Sequence, residues 1–197
     1  MAGYIYIASA FETVNRSACG QAGSWIDNDP PFLDRPADMG NLQTRPTRRR
    51  LQKRCRVLVL PKHGRHPQMI FAYLTIREII THVEAFWRPE LLSKRMGNKT
   101  PNGNIIVDAR GEYNKFDAGV HFANFDRIKR RYAIGESAQS RLLSSRKIQR
   151  LAPSFIRQLS RVIGKQGTSA VDIISRKGRK LTLNQVQALS EWLTFSA

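Results

Sequence analysis

The sequence predicts an α+β fold: a small mixed or antiparallel sheet followed by C-terminal helices. Three observations lead there. Short runs of β-branched and aromatic residues recur through the first 120 or so residues, separated by Gly, Pro and Asn turn signals. Two later segments carry apolar residues at helix spacing. Apolar residues make up 41% of the 197, enough for one real core. A single domain is expected, with a β-rich core over 1–120, a helical part over 121–197 and an irregular basic segment over 33–56.

Tyr4 to Ala8 alternates aromatic and β-branched residues and reads as the first strand. The apolar stretch around it lacks a basic flank, so it is not read as a signal peptide. Phe11 to Asn28 fits neither period, and Gly20 and Gly23 argue against a long helix. Asn28 to Arg54 holds Pro30, Pro31, Pro36 and Pro46 beside a dense arginine run. That composition predicts a loop: an unstructured surface segment, or a basic arm lying on nucleic acid.

Regular structure resumes at Arg56 with the run VLVLP, a buried strand. Pro61 to Pro67 is a turn, and Gln68 to Ile76 a strand antiparallel to the one before it. Arg77 to Trp87 either extends that strand or begins a helix. Asn102-Gly103 marks a turn, and Ile105 to Asp108 a short strand. Phe122, Phe125 and Ile128 share helix spacing over Phe122 to Tyr132, with Arg127, Lys129, Arg130 and Arg131 largely opposite.

Ser144 to Ile163 places Ile148, Leu151, Phe155, Leu159 and Val162 on one stripe. Pro153 is expected to split this helix, because proline removes an interior hydrogen bond. Ala170 to Ile174 reads as a strand and ISRKGRKL as a Gly-centred turn. Thr182 and Gln185 form a capping box, so a last helix should run over Leu183 to Leu193, with Val186, Leu189, Leu193 and Trp192 inward.

The charge narrows the partners. Thirty-three Lys and Arg against fifteen acids give a formal net charge of +18. A field of that sign attracts polyanions, nucleic acid first among them, since neutralised phosphates release counterions. The alternative is a merely solvated basic surface. No run approaches the roughly 18 apolar residues of a membrane helix, so no membrane partner is expected. Cys19 and Cys55 form no metal or redox spacing, which points to a reducing cytoplasm.

Candidate contacts with nucleic acid follow from residue type. Lys62, His63, Arg65, His66 and Gln68 crowd one turn and can offer donors to a phosphate or base edge. The pair Lys94 and Arg95 adds charge. Asn102, Asn104, Asp108, Arg110, Tyr113, Asn114, Asp117 and His121 form the densest polar cluster. Amides there can read base edges, Tyr113 can stack, and Arg110 can clamp a phosphate. Part of that cluster is ordinary Asn and Asp turn chemistry. Arg176, Lys177 and Arg179 flank Gly178, which would let the backbone approach a phosphate. His82 and Glu84, on one face if their segment is a strand, and Asp108 and Asp117 are the candidate acid and base groups of an enzyme. A surface ion pair is the simpler reading of His82 with Glu84. No P-loop, nucleophile elbow or HExxH pattern is present. His63 and His66 lack further ligands at a fitting spacing, so neither a metal nor a cofactor is expected.

Tyr4 and Tyr6, the run Met69 to Leu74, Phe86-Trp87, Lys94-Arg95 and Gly103-Asn104-Ile105 occur in a telling order. In that order the chain resembles the nucleotide modification associated domain family of the second type, found with phage and bacterial DNA-modification systems. The resemblance covers roughly residues 3–120 and rests on short motifs. It implies an α+β domain with a PUA-like barrel and a role in handling modified nucleotides. It assigns no catalytic residue. Between Leu33 and Arg56 the chain departs from the family, which carries Trp and a Cys-Arg-Pro stretch there. A local one-nucleotide frameshift would account for the departure, and sequencing the coding DNA tests it. Three functions therefore stand: a nucleic-acid or nucleotide binder linked to DNA modification or phage defence, an enzyme acting on a nucleotide or modified base, or a nonspecific basic RNA- or DNA-binding structural protein.

Overall fold

The computed structural model describes residues 3–7, 51–60, 68–97, 104–117, 122–176 and 178–195. The chain is α+β. Its strands are β1 (Gly3–Ile7), β2 (Arg56–Leu60), β3 (Ala72–Ile80), β4 (Tyr132–Gly135), the two-residue β5 (Arg141–Leu142) and β6 (Arg179–Leu181). Among the described residues the helices are α1 (His82–Trp87), the single turn α2 (Phe125–Ile128), α3 (Ser145–Ile163), α4 (Ala170–Ile174) and α5 (Leu183–Phe195). Several 3₁₀ turns connect them, the longest of those described being Pro89–Lys94.

The sheet is open and mixed, in the order β4-β3-β2-β1-β6, with β5 also pairing with β3. β1 runs parallel to β2, Gly3 opposite Arg56 and Ile7 opposite Leu60. The other pairings are antiparallel. The pairing of β2 with β3 is the one expected from the polar connection. Pairing between β4 and β6, which a closed barrel requires, does not occur among the described residues.

Every residue of β1 is buried, as are Val57 to Leu60. Unbroken burial of this kind marks strands covered on both faces rather than a half-solvated sheet. One cluster joins Ile5, Leu58 and Leu74 of the sheet to Ile148, Leu151, Phe155 and Leu159 of α3, Ile173 of α4, and Leu189 and Leu193 of α5. Fully burying side chains of this size stabilises by about 1.5–3 kcal/mol each. Cys55 is a free, buried thiol within the same cluster.

A second, smaller cluster lies beyond the far end of β3. It contains Ala85, Leu91, Ile105, Val107, Tyr132 and Ile134. A register shift in the β3–β4 pairing between Ile76 and Glu78 precedes it. Such irregularities bend the strand locally.

Five expectations are corrected. Arg179–Leu181, expected within the Gly-centred turn ISRKGRKL, is strand β6, paired with Gly3 to Ile5 of β1. Ala170–Ile174 is helical, because Ser169 accepts from the Asp172 N–H while Asp172 accepts from the Ser169 N–H, a complete capping box. α3 is continuous through Pro153. Pro153 is exposed, and the helix is held by the apolar face turned to the core. Ile105 and Val107 make isolated bridges, to Arg95 and Tyr113, rather than a strand. The helical segment after Phe122 is a 3₁₀ turn and one α-turn, with Phe122 67% exposed. The segment Arg77 to Trp87 does both things foreseen for it, ending β3 at Ile80 and starting α1 at His82. The expected elements over Phe11–Asn28, most of Asn28–Arg54 and Pro61–Pro67 lie outside the described residues.

Candidate nucleic-acid interface

The second cluster gathers many of the sequence candidates. His82 opens α1 and is fully buried, its Nδ1 accepting from the Ile106 N–H at 3.3 Å. Its ring meets Tyr132 edge-on at 5.0 Å. The Tyr132 hydroxyl donates to Asn104 Oδ1 at 2.8 Å. The Lys94 carbonyl accepts from the N–H groups of both Asn104 and Ile105 at 3.0 Å. Lys94 itself is only 1% exposed, an unusual place for a lysine. Asn114 is buried and organises the local chain: its amide donates to Met96 O at 3.0 Å, and its Oδ1 accepts from Phe116 N at 3.0 Å. Asp117 is buried and accepts from the Tyr113 hydroxyl.

His82 and Glu84 do not share a face. They lie on a helix, His82 buried and Glu84 exposed. Glu84 closes the α1 capping box with Thr81. The Thr81 N–H, and then its hydroxyl, hold the Glu84 carboxyl below the ordinary carboxylate range. Asp108 is likewise engaged with backbone, its Oδ1 accepting from Arg110 N at 2.8 Å and Glu112 N at 2.9 Å. Arg110 is exposed at the tip of that turn.

An open cleft of about 420 Å³ lies against this cluster, lined by Phe86, Asp108, Ala109, Tyr113, Asn114, Lys115 and Phe116. Arg95 sits beside it, donating to Phe86 O at 2.6 Å with its guanidinium 4.3 Å from the Phe86 ring centroid. Three aromatic rings with neighbouring cations suit a base or nucleotide. Among the described residues, neither His82 nor Asp117 lines the cleft.

Gly178 and β6 after it lie at the opposite edge of the sheet. Gly178 has φ +77°, and a Cβ on it would lie 2.5 Å from Ile5 O and 2.8 Å from Tyr6 Cβ. The close approach that needs glycine is therefore to β1 of the same chain. Arg176 and Arg179 are exposed there. Lys62, His63, Arg65, His66, Asn102, His121 and Lys177 lie outside the described residues. Gln68 is described, and its side-chain oxygen accepts from the Ala170 N–H at 2.7 Å, fastening the β2–β3 end to α4.

Sequence reasoning missed one basic feature of the described residues. α3 carries Arg146, Lys147, Arg150, Arg157 and Arg161 and no acid. At 3.6 residues per turn, the four arginines fall within about 60° of arc and extend over about 22 Å. All four are exposed, opposite the face formed by Ile148, Leu151, Phe155 and Leu159. Among the described residues none of them makes an ion pair. The ion pairs among the described residues join Arg77 and Arg88 to Glu78 and Glu90, and Lys129 to Asp126. The spacing was readable from the sequence as the complement of the apolar stripe.

Among the described residues no group of three or more His, Cys, Asp and Glu could hold a metal ion. No described helix is long and apolar enough to cross a membrane. No family model, curated protein or solved structure matches the chain.

Proposed function

We propose that this chain binds nucleic acid, laying α3 along a phosphate backbone through Arg146, Arg150, Arg157 and Arg161. The observation that carries the reading is the acid-free arginine stripe, exposed and unengaged by the described carboxylates. Guanidinium groups match phosphate oxygens in a planar, two-pronged geometry that lysine lacks. The exposed Arg176 and Arg179 add to the field. The aromatic cleft beside Tyr113 supplies a place for a base, and the resemblance of residues 3–120 suggests a modified one, in a setting of DNA modification or phage defence. A PUA-like core is part of the same reading.

The alternative of a nucleotide-directed enzyme asks for an acid and a base facing one pocket. Asp108 lines the cleft with one oxygen already given to two backbone donors, while His82 and Asp117 lie outside the lining. That arrangement favours binding over catalysis.

The test is affinity for unmodified and hypermodified duplex at two salt concentrations, for the wild type and a variant with all four arginines changed to Gln. Each phosphate contact contributes about 0.9 to the slope of log K against log salt, so the variant should lose about 3 to 4 from that slope. An unchanged slope would overturn the docking of α3.

A further inference from the structure

Between α3 and α5 lies a second cleft, of about 290 Å³, lined by Ser154, Arg157, Gln158, Arg161 and Trp192. We infer that it holds one unpaired base of a single-stranded nucleic acid, stacked on Trp192, with the adjoining phosphates on Arg157 and Arg161. The inference rests on the nucleic-acid reading above and adds to it the form of the ligand.

The cleft sits at the low end of the range for small-molecule sites, roughly 300–1,000 Å³, so it suits one base rather than a longer stretch. Trp192 is partly buried and anchored against Phe155, ring centroids 5.9 Å apart and tilted by 36°. A ring fixed in this way stacks without first losing rotational freedom. Arg157 and Arg161 are one helical turn apart and belong to the phosphate stripe, so backbone and base sites are contiguous on α3. The nearest acid in sequence, Glu191, has its Oε1 accepting from Gln187 Nε2 at 2.9 Å. The Gln158 amide, in the lining, offers both a donor and an acceptor to the edge of a base. Ser154 donates to Leu151 O of its own helix at 3.1 Å. A base within an intact duplex is stacked between its neighbours and cannot enter such a cleft, whereas single strands are routinely bound on aromatic platforms.

The test uses the whole chain and short oligo(dT) carrying a single 5-iodouracil, irradiated and mapped by mass spectrometry, beside affinities for oligo(dT) and for duplex. A crosslink on Trp192 and tighter binding of the single strand are expected. Trp192→Leu should weaken oligo(dT) by about tenfold and leave the duplex unchanged, stacking on an aromatic ring being worth that much per base. Because Trp192 also packs on Phe155, Gln158→Ala is the second variant, with a several-fold loss for oligo(dT) alone. Crosslinks confined to other residues, or variants that bind oligo(dT) like the wild type, would overturn the stacking site while leaving phosphate docking intact. Absence of binding to either nucleic acid would overturn both.

Discussion

The hydroxyl of Tyr132 and the amide oxygen of Asn104 are joined by a 2.8 Å hydrogen bond in which both side chains are buried. The bond ties β4 to the start of the segment bearing the aromatic cleft. Tyr132→Phe keeps the ring against His82 and removes the bond. A loss of about 1–2 kcal/mol is expected, or a fall of about 2–8 °C in Tm for a chain of this size. Thermal unfolding measures it. An unchanged Tm would show that the bond contributes nothing net. Oligonucleotide affinity at a temperature where the variant is folded should be unaffected.

Gly178 permits the chain entering β6 to pack closely on β1. Gly178→Ala meets both a positive φ and the Ile5 carbonyl at 2.5 Å. The left-handed conformation alone costs about 1–2 kcal/mol for an L side chain, and the close backbone contact adds to it. Urea denaturation should show a lower midpoint, and a midpoint equal to that of the wild type would refute the packing role.

Pro153 leaves the Gln149 carbonyl without its i+4 donor inside a continuous helix. Pro153→Ala restores that donor. The gain of up to about 3 kcal/mol from removing an interior proline is partly offset, by about 0.4–1 kcal/mol, by the greater freedom of the unfolded chain. Equilibrium denaturation should therefore show a more stable protein. Lower stability would mean that the proline serves the packing of α3.

The α1 cap sets a pH dependence. Glu84 has a folded-state pKa below its unfolded one, held there by the Thr81 N–H and hydroxyl. Its contribution is present above the unfolded pKa and is lost as pH falls through the folded one. Comparing wild type with Glu84→Gln across the acid range should show a stability difference that shrinks below the ordinary carboxylate range. A difference constant with pH would remove the cap as its source. Thr81→Ala should cost about 1 kcal/mol at neutral pH.

β1, β2, much of β3 and the last helix were legible because their residues speak locally, whereas β4, β5 and β6 were not read as strands. Tyr4 to Ile7 and Val57 to Leu60 are apolar runs, with Gly3 before the first and Pro61 after the second, and Thr182 with Gln185 forms the box expected, with bonds of 3.0 and 3.3 Å. Ala170–Ile174 was misread because four apolar residues in a run of five fit strand and helix alike, and only Ser169 and Asp172 decide between them. Pro153 was overweighted against an apolar face that tertiary packing secures. At the site, residue type pointed to Asn104, Asn114, Lys94 and His82, and burial in a second core is a property that type does not carry. The α3 arginines needed the opposite step, laying the polar residues, not only the apolar ones, around the helix.

The pairing of β1 with both β2 and β6 also bears on how the protein is made. During translation β1 leaves the ribosome among the first residues described here and β6 among the last, yet Gly3 faces Leu181 across one edge and Arg56 across the other. Until β6 is synthesised, that edge of a strand destined to be wholly buried stands without its neighbour, a template for another nascent chain. Completion of the sheet thus waits on a strand synthesised long after β1, and chaperone dependence should fall on β1.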